Sequence, residues 1–307
     1  MLYVSTRNKA DTYTPHRVLH SEYAPDGGVL LPMQIPVLDH TALAVYAQMG
    51  FGEAVASILN LFFGTQLSGW DVDFAVGRQA VELVYCRHKI ALSESWHNPA
   101  GSHDYFVNQL YCLVTGENIS NFVANPWFHT AVNIALIFGM YGKLYRQGIC
   151  IFDVSVASGD LQLLFAVRYA QRMGLPIQKI VLGCVEGDGI WEFLSYGEYQ
   201  TYRKTYPSYL EPLLFLELGE TEVDRYLQCR KSRLAYRLDT EEQFCANLFP
   251  AVVGEYRVKN LTDSLLHGSN CRLDMQTGRA FCAVQDYRAK TGENRTTLLF
   301  ACNAPGK

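Results

Sequence analysis

Apolar residues recur at helical spacing through Phe51–Phe63 (FGEAVASILNLFF), which predicts a helix packed on the core. Trp127 to Arg146 reads as a long, largely apolar helix stopped near Gly148. The next run, Ile149 to Val156 (ICIFDVSV), is β-rich and predicts a buried strand. Leu161 to Met173 is helical again, and Gly174-Leu175-Pro176 supplies its stop. Ile180 to Val185 is a second β-rich run, with a further helix from about Ile190 to Tyr196. Strand, helix, strand and helix in this order predict a parallel βαβ unit with both faces covered. Towards the ends, a short strand (Leu2–Val4), a helical stretch (Pro15–Ser21), a turn at Pro25–Gly28 and a last strand (Thr296–Cys302) are legible. Gly64 to Glu94 alternates less clearly and gives only mixed helix and strand.

Composition narrows the function classes. The 307 residues are 49% hydrophobic and 18% charged, ordinary for a soluble protein with a buried core. A net charge of -4, with no Lys/Arg run, argues against nucleic acid. The amino terminus, MLYVSTRNKA, lacks the apolar segment of a secretory signal. The most apolar stretch, Thr130–Gly142, is too short to span a bilayer, so no membrane role is expected and a cytoplasmic location is. Nine singly scattered cysteines without a C-x-x-C read mostly as small core residues.

The turn Ser158-Gly159-Asp160 leaves a predicted parallel strand and opens a helix, which makes it a natural anion site. Against that, Asp160 would repel a phosphate, and Ser158 or Asp160 can simply cap the helix; capping is the favoured reading. His97, His103 and Asp104 match no standard zinc spacing, so no metal is expected. The loop Glu186–Gly189 follows the second strand at the edge where α/β sheets bind ligands, although a solvated connection is the plainer reading.

Four stretches, in order, resemble threonine synthase, a pyridoxal-phosphate enzyme of fold type II. They are YVSTRN with APDGGVLLP and IP (Tyr3–Pro36), ESWHNPAGSHDYF (Glu94–Phe106), Asn125–Tyr199, and LDMQTGRAFCAVQDY (Leu273–Tyr287) with the terminal FACNAPGK. The resemblance implies an α/β, tryptophan-synthase-like large domain over residues 91–307. A threonine-synthase-like amino-terminal region over residues 1–90 precedes it, and most of the small domain is missing.

The departures fall on the chemistry. Where the family has F-H-G-P-T-x-x-F-K-D, Trp96, His97, Pro99 and Asp104 match in a segment one residue shorter, but His103 occupies the position of the Schiff-base lysine, directly before that acid. Imidazole cannot form that aldimine. The phosphate-cradling P-T-G-N-F-G-D becomes Ala157 to Leu163, with Asp160 for asparagine and Gln162 for the second glycine. Val107 to Pro126 replaces the small domain, and no S-G-D-T-G occurs there; a domain needs about 50 residues or more. D-P-H-T-A becomes Asp274 to Gly278.

The resemblance therefore implies no catalytic residue. It leaves Ser158, Gly159 and Asp160 as a degenerate phosphate turn, with His97 and Thr277 as further cofactor contacts. No cofactor is expected; pyridoxal phosphate enters by resemblance alone and would be non-covalent. The expected function is a catalytically inactive threonine synthase-like protein with a binding or regulatory role. It would bind a small anionic ligand, or a second copy or protein partner on the face that the small domain once covered. The rival is an active enzyme converting O-phosphohomoserine to threonine, completed by a partner chain.

Overall fold

The structure is a computed structural model describing residues 1–307 except 119–122, 202–206, 239–243, 246, 270, 272 and 303–307. In chain order the strands are β1 (Tyr3–Ser5), β2 (Thr12–Tyr13), β3 (Leu30–Pro32), β4 (Glu82–Cys86), β5 (Ile90–Glu94) and β6 (Phe152–Ala157). They continue with β7 (Ile177–Cys184), β8 (Glu198–Gln200), β9 (Ala235–Arg237), β10 (Leu248–Val252) and β11 (Thr297–Ala301). The helices are α1 (Pro15–Leu19), α2 (His40–Gln48), α3 (Phe51–Phe63), α4 (Gly69–Val76), α5 (His103–Thr115) and α6 (Pro126–Tyr145). After these come α7 (Leu161–Arg172), α8 (Ile190–Tyr196), α9 (Leu210–Leu218), α10 (Glu220–Ser232), α11 (Glu255–Ser269) and α12 (Met275–Thr291).

The central sheet has the order β10-β7-β6-β11-β5-β4. All neighbours run parallel except β4, which pairs antiparallel with β5 at the edge. Both faces are buried, and the pleat sends alternate residues to opposite sides. In β11, Leu298 and Phe300 join the large apolar cluster shared with α3, α6 and α7, whereas Leu299 joins the smaller cluster under α12.

Helix α6 is apolar nearly all round, and that composition places it inside the protein. Its Gly139 lets the Phe51 ring approach: a Cβ there would sit 2.5 Å from Phe51 Cδ2. The small sheet β2-β1-β3 covers the amino-terminal end of this core. Tyr3 donates its hydroxyl to the Phe62 carbonyl at 2.7 Å, and the Trp127 indole packs edge-on to it. Arg7 then pairs with the buried Glu211 carboxylate at 2.9 Å, tying this sheet to α9.

The βαβ unit stands where the periodicity puts it, with small corrections. Residues 149–151 are not strand: Ile149 N–H bonds the Leu144 carbonyl at 3.1 Å, so they finish the turn that ends α6. Strand β7 starts three residues before the expected Ile180, because Gln178 and Lys179 lie at the outer end of a strand that is buried further in. Residues 64–94 resolve into α4 and the β4–β5 hairpin. Residues 116–125 alone join α5 to α6, too short a connection for an inserted domain. Among the described residues no helix is long and apolar enough to cross a membrane.

Candidate functional site

The carboxyl ends of β5, β6, β7 and β11 share one edge of the sheet, and the helices following β5 and β6 begin there. His103, the first residue of α5, points inward and is 8% exposed. Its Nδ1 is hydrogen-bonded to the Ser95 hydroxyl at 3.0 Å, and its backbone N–H donates to the Cys302 carbonyl at 2.7 Å. Nε2 makes no hydrogen bond of its own among the described residues, with the Asn133 side chain beside it. The ring stacks on Phe106 one turn along α5. Burial, reinforced by the neighbouring His129, lowers its pKa to about 4, so the imidazole is neutral at physiological pH.

A cleft of about 430 Å³ opens beside this sealed pocket. Its walls are the β6–α7 turn (Ala157, Gly159, Asp160), the start of α12 (Asp274, Gln276, Thr277) and the end of β11 (Phe300, Cys302). Both helices that begin here carry an aspartate cap. Asp160 Oδ1 accepts from Leu163 N–H at 2.9 Å, and Asp274 Oδ1 accepts from Thr277 N–H at 2.8 Å. Each carboxylate answers the positive end of its own helix. Burial raises the Asp160 pKa, and the Cys302 thiol is pushed above its ordinary value by burial and then by Asp160, Asp274 and Asp104. Among the described residues no lysine or arginine lines the cleft.

Of the residues singled out from the sequence, Gly159, Asp160 and Thr277 meet in this cleft. Ser158 lies behind it, its hydroxyl donating to Asp188, which also accepts from Ile190 N–H at 2.8 Å. Asp188 thus binds the ends of β6 and β7 together. His97 is engaged with Glu94 at 2.8 Å and stacks on Trp96. Neither His97 nor His103 lines the cleft. Asp104 is exposed in the first turn of α5. Gln162 turns away, donating to the Pro126 carbonyl at 2.9 Å and the Tyr209 hydroxyl at 2.8 Å. No group of three or more His, Cys, Asp or Glu among the described residues could hold a metal.

The acid on the far wall, Asp274, stands in the sequence only as part of a worn motif; its signal is an aspartate three residues before a threonine at a helix start. Thr277 donates its hydroxyl to the Phe300 carbonyl at 3.2 Å. Residues 303–307 of the last resembling stretch, and 119–122 of the short connection, lie outside the described residues.

Comparison with known proteins gives these features a setting. Residues 2–77 match the family described as threonine synthase N terminus. The chain is 33% identical over 141 residues to threonine synthase-like 2 of Pongo abelii, covering 43% of this chain and 28% of that protein. It is 33% identical over 106 residues to threonine synthase-like 2 of Homo sapiens, covering 32% and 22%. The matches thus span less than a third of those relatives' own length.

In fold, the chain is similar to PLP-bound threonine synthase from Brucella melitensis, with a TM-score of 0.80 at 16% identity over 99% of this chain and 89% of that one. Yeast threonine synthase gives 0.77 at 14% identity over 99% and 87%. The fold is therefore that of the threonine synthases, and the family match in sequence covers residues 2–77.

A lysine-anchored pyridoxal phosphate does not fit the residues present. Where the resemblance puts the anchoring lysine, the side chain is a buried, neutral imidazole that does not line the cleft. The turn to which the resemblance assigns the phosphate shares its cleft with the carboxylates of Asp160 and Asp274, and the Gln276 side chain already lies against it: a Cβ on Gly159 would sit 2.7 Å from the Gln276 amide nitrogen. A dianion brought there would be desolvated beside Asp160 and Asp274.

Proposed function

We propose that this chain is a cytoplasmic threonine synthase-like protein that has given up pyridoxal-phosphate catalysis and keeps the fold, with its edge cleft, as a binding scaffold. The observation that carries this reading is His103, locked into Ser95 with a neutral ring and absent from the cleft wall. The acidic lining supports it independently, because the group most basic to the old chemistry, a bound phosphate, meets Asp160 and Asp274. The rival reading, a threonine synthase acting through another lysine, needs an amine near the cleft.

The test is direct. The purified chain is mixed with pyridoxal phosphate, reduced with borohydride and mapped by mass spectrometry. The expected result is no aldimine absorbance and no site-specific pyridoxyl-lysine. A single stoichiometric adduct accompanied by threonine formation from O-phosphohomoserine would overturn the proposal.

A further inference from the structure

We propose that the edge cleft takes a small ligand bearing a single carboxylate group, and that Arg279, now covered by Gln276, is the receptor for that group. The inference deepens the reading of the cleft as a binding scaffold and rests on it.

Arg279 lies on α12 one turn after Gln276 and is only 4% exposed. Its stem runs against the end of β7, where a Cβ on Gly183 would sit 3.0 Å from Arg279 Cγ. A guanidinium keeps its charge in a protein, so burying one calls for a carboxylate partner and for acceptors on its N–H groups. Among the described residues Arg279 makes no ion pair, and its buried Nε makes no hydrogen bond. Arg168, buried to a similar degree, pairs instead with the Glu217 carboxylate at 2.9 Å. Asp188, just past the end of β7, is already used by the Ser158 hydroxyl and by the Val185 and Ile190 N–H groups.

The hydrogen bond that Arg279 does make is directed at the cleft. Nη1 donates to Gln276 Oε1 at 3.2 Å, and Gln276 is an exposed residue of the cleft wall with its carboxamide laid against Gly159. A planar carboxamide in front of a guanidinium has the shape of a carboxylate without its charge. A ligand carboxylate that displaces this side chain would meet the guanidinium in the two-point, charge-assisted geometry that arginine favours.

The count of charges selects the ligand class. A monocarboxylate is balanced one to one by Arg279, whereas the second charge of a phosphate dianion would face Asp160 and Asp274 on the same walls. For stability alone, an apolar side chain of similar length would serve better at this depth. A buried cation kept without a partner directly under a cleft wall is therefore a binding group.

The experiment follows the melting temperature and calorimetric binding of the full chain with sodium acetate, sodium benzoate or inorganic phosphate, at an ionic strength held constant with sodium chloride. A saturable rise in melting temperature is expected with the carboxylates, and a far smaller one with phosphate. Arg279→Met should melt higher than the wild type without ligand, because it removes an uncompensated buried charge, and should lose the carboxylate response. Gln276→Ala removes the internal competitor and should bind the carboxylates about tenfold more tightly. No response beyond that of sodium chloride, a phosphate response as large as that of acetate, or a carboxylate response kept in Arg279→Met would overturn the proposal. Should Arg279→Met fail to fold, the wild-type titration and Gln276→Ala decide, since affinity that does not rise in Gln276→Ala means that the receptor is not beneath it. A pyridoxyl-lysine adduct would sink the scaffold reading; the absence of both the adduct and the carboxylate response sinks this inference alone.

Discussion

The starts of α5 and α7 lie at the same edge of the same sheet, and they have met opposite fates. At α5 the first side chain, His103, has been drawn into the core and sealed between Ser95, Phe106 and His129. At α7, and at α12 across from it, the first groups remain at an open cleft but are carboxylates. One helix start is thus filled and the other open and acidic. Filling removes the space and adds packing. Charge keeps the space and sets which ligands it tolerates. The sealed position should respond to substitution as a core does, the open one as a surface does.

The largest test is His103→Lys. It would place an ammonium beside His129 in a buried pocket, at a cost of about 3–5 kcal/mol. Urea unfolding should show a much earlier midpoint, and the variant should still give no aldimine absorbance with pyridoxal phosphate. Near-normal stability would mean that the pocket is not sealed.

Acid comes next. Because burial lowers His103 from 6.5 to about 4, the unfolded chain takes up a proton in that interval which the folded chain refuses. Stability is therefore complete above pH 6.5 and declines as the pH falls towards 4, by at most about 3 kcal/mol from this group. His129, also lowered by burial, adds in the same direction. Denaturant titrations across that range should give a shallower slope for His103→Gln than for the wild type. Identical slopes would remove His103 from the sealed class.

The smallest effect belongs to the open wall. Asp274→Ala deletes one helix cap and should cost about 1 kcal/mol, with the fold otherwise unchanged. A loss as large as that of His103→Lys, measured by the same urea midpoint, would show that the cleft is packed after all and would erase the contrast.

How much of this is legible in advance depends on how local each cause is. Helices α3, α6 and α7 can be read because their apolar spacing is a property of neighbouring residues. The capping role of Asp160 can be read for the same reason: an acid directly before an apolar helical run. Residues 64–94 cannot, since α4 is short and strand β4 is only half-buried, so neither shows a clean period. The far wall of the cleft is out of reach, because Asp274 meets Asp160 only through the packing of α12 on β6 and β7. The place of His103 in the family pattern is visible in the sequence, but its inward turn is held by Ser95, which no spacing rule connects to it.

The position of β11 has a consequence for how the protein is made. Thr297–Ala301 pairs with β5 on one side and β6 on the other, in the middle of the sheet. Until that segment leaves the ribosome, β5 and β6 are unjoined edges, each presenting open backbone groups to any passing strand. Folding must wait for its last central piece, and the non-local pairing makes that final step slow. A nascent chain halted before Thr297 is therefore the species most in need of a chaperone.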